Sequence, residues 1–138
     1  MRFTIDRIDH VVLNVRDVEL AAAWYQRVLG MEREVFGPDQ RTALKFGGQK
    51  INLRPVSADP RAWVTGASDA PGAADLCFVT LCFVTAVGPE DTIAQLHDFG
   101  VAIVAGPVPR TGALGAMRSV YCRDPDGNLI EIASYLTA

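Results

Sequence analysis

The sequence predicts an α+β fold: two consecutive βαβββ units forming a curved mixed sheet around a cleft. Two observations predict it. The order of strand, helix and three further strands can be read twice along the chain, and fixed spacings recur between the two readings. His10 precedes Gly30 by 20 residues and Thr80 precedes Gly100 by 20, while Gly48 precedes Asn52 by 4 and Gly127 precedes Glu131 by 4. His10 and Thr80 are therefore repeat mates, as are Asn52 and Glu131. A pseudo-twofold arrangement would bring these four strand positions to one cleft.

The first element is a strand over Ile8–Val15, where β-branched residues alternate. Val11, Leu13 and Val15 share one face, and His10, Val12 and Asn14 share the other. Asp17 is a fitting N-cap, with Glu19 in the first turn where the helix dipole favours a carboxylate. Val18, Ala21, Ala22, Tyr25 and Leu29 recur at helical spacing, and Gly30 suits the left-handed position that ends a helix. Trp24 and Tyr25 are read as packing residues. Three short strands follow, at 33–36, 41–46 and 50–55, separated by Gly37-Pro38-Asp39 and Gly47-Gly48.

The stretch 56–74, rich in Ala, Pro, Gly, Ser and Asp, reads as a connector between a first unit (1–55) and a second (75–138) of one domain spanning 1–138. The pattern then restarts. Residues 76–87 are strand-like, Pro89 opens a helix, and Gly100 ends it. Strands are expected at 101–105, 116–122 and 129–134, the last two joined by an Asp124-Pro125-Asp126-Gly127 turn. Gly112 and Gly115 suggest a flexible loop able to cover a cleft.

Composition narrows the function classes. Hydrophobic residues make up 49% and charged residues 21%, so the chain can bury a core. The net charge of -3, without runs of like charge, gives no reason to expect nucleic acid or an anionic membrane as partner. No signal peptide or membrane span is read. Cys77, Cys82 and Cys122 lie in apolar runs without CxxC spacing, which reads as reduced, buried thiols in a cytoplasmic protein. The partner expected is a small molecule, and a homodimer is expected because exposed strand edges need covering.

Three segments carry a family resemblance: IDHVVLNVRDVELAAAWYQRVLGM, FGGQKINL and RDPDGNLIEI. They resemble the vicinal-oxygen-chelate superfamily, with its glyoxalase/bleomycin resistance fold. GPVPRTGALGAMRSVYCRDPDGNLIE looks most like glyoxalase-domain proteins of the "virulence protein" type. The resemblance implies metal ligands on the first and last strands of each half, hence His10 and Glu131, with Glu131 also catalytic. Imidazole with carboxylate suits a divalent ion such as Zn, Ni, Fe or Mn.

The other two positions depart from the family pattern. Asn52 stands where glyoxalase relatives carry a second glutamate, and an amide cannot act as a base. Residues 76–80, LCFVT, are repeated at once as 81–85. Asp75 therefore precedes the first copy while Thr80 keeps the repeat spacing, and either could fill the second-half ligand position. Substrate contacts are expected from Asn52, Arg54, Thr80, Arg118 and Tyr121. For Arg54 the plainer reading is a solvated strand end. Among Arg110, Arg118 and Arg123, one could recognise an anion. His97 reads as a surface residue. The function implied is a divalent-metal-dependent lyase, isomerase or dioxygenase of the superfamily. The alternative is a non-catalytic protein that sequesters a drug or metabolite.

Overall fold

A computed structural model describes residues 1–56 and 79–136. The connector from residue 57 onward, the first LCFVT copy as far as Phe78, Asp75 and Cys77 lie outside the described residues. The backbone falls into two compact units, 1–77 and 78–138.

The first unit holds β1 (His10–Val15), α1 (Val18–Leu29), β2 (Glu32–Phe36), β3 (Arg41–Phe46) and β4 (Gln49–Pro55). They form a four-stranded mixed sheet in the order β1-β4-β3-β2, with β1 parallel to β4 and the other pairs antiparallel. α1 forms where its caps and periodicity require. The Asp17 carboxylate accepts from the Leu20 backbone N–H at 3.0 Å, and Gly30 adopts φ 66° to close the helix. Its apolar stripe buries Ala21, Ala22, Trp24 and Tyr25, with the two aromatic rings edge-to-face at 5.0 Å. Across from it lie Leu13, Val15, Leu44, Ile51 and Leu53, all essentially inaccessible. Fully burying one such aliphatic side chain contributes about 1.5–3 kcal/mol. The Arg33–Glu19 ion pair fixes which sheet face the helix covers, because Arg33 is the register partner of Leu44. The opposite face carries His10, Val12, Asn14, Asn52 and Arg54.

The second unit repeats the plan with β5 (Thr80–Val84), α2 (Pro89–Asp98), β6 (Ala105–Gly112), β7 (Gly115–Arg123) and β8 (Leu129–Tyr135). Its sheet order is β5-β8-β7-β6, with β5 parallel to β8. Arg118 pairs with Glu90 of α2 at 3.1 Å, which marks the face of β7 that the helix covers. The opposite face carries Thr80, Cys82, Ser119, Tyr121 and Glu131. The turn before β8 is tied by Asp124, which accepts from the backbone N–H groups of Asp126 and Asn128 and from the Asn128 side chain. Asn128 in turn accepts from the Val79 backbone N–H at 3.0 Å.

Three expectations are corrected. Residues 101–104 are not a strand, and β6 runs instead over 105–112 through Pro107 and Pro109. It is an edge strand, where half of the N–H groups have no ladder partner, and Pro107 lies at the register shift between Ala105 and Val108. Gly112 and Gly115 are register partners closing a hairpin around Ala113-Leu114, so the glycines make a tight turn and not a covering loop. Cys82 is exposed, whereas Cys122 is buried as expected.

Candidate functional site

Register explains why the repeat spacings matter. In the first unit His10 pairs with Lys50 and Val12 with Asn52. In the second, Thr80 pairs with Leu129 and Cys82 with Glu131. Asn52 and Glu131 are thus equivalent positions, each central in its sheet, each beside the third residue of the parallel edge strand. His10 and Thr80 open those edge strands on the same face as Asn52 and Glu131 respectively.

On the first unit, His10 is exposed and its Nδ1 lies 2.9 Å from Asp9 Oδ2. A carboxylate only accepts, so Nδ1 donates, and in the neutral imidazole it is Nε2 that offers the lone pair. This is the arrangement in which an outer carboxylate orients an imidazole for a metal. The same hydrogen bond holds the Asp9 carboxyl below the usual range.

Asn52 is buried, and among the described residues its Oδ1 has no hydrogen-bond partner. A buried polar atom left so costs about 1–3 kcal/mol unless something supplies the missing contact. Arg54, two residues along, is buried at 6% exposure, correcting the reading of a solvated strand end. Its Nε donates to Asn14 Oδ1 at 2.9 Å, and burial pushes its pKa down.

On the second unit, Glu131 Oε2 accepts from Ser119 Oγ at 2.7 Å. The Cys82 thiol also hydrogen-bonds to Glu131; desolvation first, and the Glu131 charge second, push that thiol up to about 11. Tyr121 is the register partner of Glu131 on the other side, and its hydroxyl accepts from Arg110 Nε at 2.8 Å. Glu131, Tyr121 and Thr80 thus share a face. Arg118 stands apart, on the helix-covered face with Glu90. Asp75 lies outside the described residues.

Sequence reasoning missed Cys82 and Ser119. The signal was present: Val12 follows His10 by two residues as Cys82 follows Thr80, and Ser119 precedes Tyr121 by two. The raised thiol pKa leads to a prediction. Cys82 stays protonated at neutral pH, so iodoacetamide should alkylate it slowly at pH 7–8 and rapidly only near pH 11. The neutral thiol is the form the fold favours. Its stabilising effect is complete below the ordinary thiol pKa and is lost as pH rises towards 11. Fast modification at pH 7, read by mass spectrometry on intact protein, would contradict this.

Comparison with known proteins agrees with this arrangement. The sequence profile of the glyoxalase/bleomycin resistance protein/dioxygenase superfamily matches residues 7–132. The chain belongs to this superfamily. Among relatives of this glyoxalase-superfamily chain, virulence protein STM3117 of Salmonella typhimurium is 44% identical, covering 99% of this chain and 89% of the relative. The glyoxalase domain-containing protein RDO1 of Mycosarcoma maydis is 41% identical, over 99% of this chain and 73% of that protein. The solved integron cassette protein VCH_CASS1 from the V. cholerae mobile metagenome aligns with TM-score 0.83 and 41% identity, over 99% and 100% of the two chains. Two more distant structures share the fold alone. Lactoylglutathione lyase of Agrobacterium tumefaciens aligns at TM-score 0.65 and 23% identity, over 94% of each chain. The antibiotic-binding protein TnmS3 of Streptomyces aligns at 0.71 and 20%, over 98% and 100%.

The superfamily's implied metal must suit the donors present. Among the described residues, no three His, Cys, Asp or Glu side chains gather as a metal-binding group. The donors that suit a divalent ion are the Nε2 of His10, the Glu131 carboxylate and the partnerless Oδ1 of Asn52. The first unit thus offers an imidazole and a neutral oxygen and the second a carboxylate, each a donor type that divalent ions accept. No described helix is long and apolar enough to cross a membrane.

Proposed function

We propose that this glyoxalase-superfamily chain is a divalent-metal-dependent enzyme acting on a small oxygenated substrate as a lyase, isomerase or dioxygenase. In this reading His10 and Glu131 are ligands, Asn52 supplies a neutral oxygen, and Thr80 or Asp75 stands at the fourth position. The observation that carries it is the buried Asn52 Oδ1, an acceptor without a partner on the face that holds His10. When bound, the ion would supply Lewis-acid stabilisation of an oxyanion, commonly worth several kcal/mol.

The chain's own residues do the rest. Asp9 accepts from Nδ1 and so orients the His10 imidazole, leaving Nε2 as the ligand atom. Ser119 fixes one oxygen of Glu131, so that the other can hold or pass on a proton. Arg54 and Tyr121 contribute polar contacts to substrate. A cytoplasmic homodimer belongs to the same proposal, and light scattering would measure the assembly.

A second reading is a binding protein that sequesters a metabolite or drug without chemistry. The substitution of an amide for a carboxylate at position 52, and the lack of a three-residue acidic or imidazole cluster among the described residues, favour it.

Thermal melting of chelator-stripped protein separates the two. A ligand at a hundredfold excess over its Kd stabilises by about 2.7 kcal/mol. For a chain of this size that raises Tm by roughly 5–10 °C. The metalloenzyme reading expects such a rise with at least one of Zn, Ni, Fe(II) or Mn, and much less in His10→Ala. No rise with any of them would leave the binding-protein reading.

A further inference from the structure

We propose that Arg110 and Tyr121 form a carboxylate-binding pair beside Glu131, so that the molecule this chain acts on is a small carboxylic acid. The proposal deepens the reading of Glu131 as part of the functional site and rests on it.

Three arginines border this part of the sequence, and the structure separates them. Arg118 is turned to the helix and paired with Glu90. Arg123 donates to the Gly127 carbonyl in the turn before β8. Arg110 alone of the three reaches Tyr121, its Nε 2.8 Å from the hydroxyl and its guanidinium carbon 5.4 Å from the ring centre.

Among the described residues its charge is not matched by a carboxylate. Arg7, Arg33, Arg41 and Arg118 each reach an Asp or Glu. The hydrogen bonds of Arg110 among the described residues go to the Tyr121 hydroxyl and the Pro109 carbonyl, both neutral. They use Nε and one proton of Nη1. Three guanidinium protons remain, in the fork geometry that suits a carboxylate.

Tyr121 adds a second donor. Because its oxygen accepts from Arg110, the phenol proton is left to be given elsewhere. The ring is buried at 9% exposure, which fixes the direction in which that proton can be presented. An arginine that polarises a tyrosine hydroxyl makes it a better donor to an anion.

Position on the sheet completes the argument. Across one face run Cys82 on β5, Glu131 on β8, Tyr121 on β7 and Arg110 on β6. Tyr121 lies directly beside Glu131, whereas Arg110 pairs with Met117, four residues away along β7, and its side chain reaches back along the sheet to the Tyr121 hydroxyl. The carboxylate end of a substrate would meet Arg110 and Tyr121. The reacting end would extend towards Glu131, without placing two negative groups in contact. A neutral analogue of the same shape would leave the guanidinium unmatched.

The test is binding of lactate to chelator-stripped full-length protein, followed by NMR titration, with oxalate as a second carboxylate. Lactamide, equal in shape but uncharged, is the comparison. Lactate is expected to saturate, and lactamide to bind roughly tenfold more weakly or worse. Arg110→Met should weaken lactate by roughly tenfold or more, with partial recovery in Arg110→Lys, which keeps the charge but not the fork. Tyr121→Phe should weaken it by roughly three- to tenfold, the loss of one donor. Arg110 is exposed, so its variants should fold, and their melting curves check this. The proposal is overturned if neither carboxylate saturates the wild type, if lactamide binds equally well, or if Arg110→Met leaves binding unchanged. Because metal is absent throughout, such a failure leaves the metal reading standing. Failure of the wild type to take up any added metal would do the reverse, removing the metal reading while leaving lactate binding through Arg110 intact.

Discussion

Glu131→Gln is expected to weaken metal binding by about a hundredfold or more, measured by competition against a chelator of known affinity. The substitution keeps the shape of the side chain and its acceptor for Ser119 Oγ, which is 2.7 Å away, so the fold should survive. What it removes is the charge. Loss of an outer-shell partner alone typically costs 10–100-fold in metal affinity, and loss of an anionic ligand exceeds that. Ser119→Ala provides the scale, since it leaves the carboxylate in place but no longer fixed, and should weaken binding by about tenfold. Equal affinities in wild type and Glu131→Gln would remove Glu131 from the metal site.

Gly106→Ala is expected to be the most destabilising single-methyl addition among the described glycines, at about 3 kcal/mol or more. Gly106 sits at φ 114°, and a Cβ there would stand 2.5 Å from the Ser119 carbonyl oxygen and 2.9 Å from Val120 Cα. Both neighbours belong to the backbone of β7, which cannot rotate aside. Gly115→Ala is the control. It also has a positive φ, of 132°, but nothing lies within 4 Å of the added methyl, so only the backbone strain of about 1–2 kcal/mol remains. Urea unfolding of the two variants should place Gly106→Ala well below Gly115→Ala. The reverse order would mean that β6 and β7 do not approach as described.

Much of the fold is legible because local and long-range signals agree. Asp17 and Gly30 bracket a helix whose stripe is already apolar, and both caps form. The repeat spacings place Asn52 and Glu131 at equivalent register positions, which no local propensity could have supplied. The misplacement of β6 has a clear cause. VAIVA carries the apolar signal of a strand, whereas the actual strand holds Pro107, Pro109 and two terminal glycines that read as turn chemistry. An edge strand tolerates that chemistry because half of its N–H groups have no partner to lose.

The proposed site is legible in its ionic residues and not in its neutral ones. His10 and Glu131 stand out as polar residues in apolar strands. Ser119 and Cys82 look like ordinary strand residues until register places them against Glu131. Arg110 could not be told from Arg118 and Arg123 by spacing, because what separates them is the sheet face and the partner each one finds.

The most direct test of the central proposal is metal content by mass spectrometry on untagged protein, wild type beside His10→Ala. The account predicts about one transition-metal ion per chain in the wild type and its loss in the variant. Wild-type protein that carries no metal, and takes up none of added zinc, nickel, iron or manganese, would contradict it.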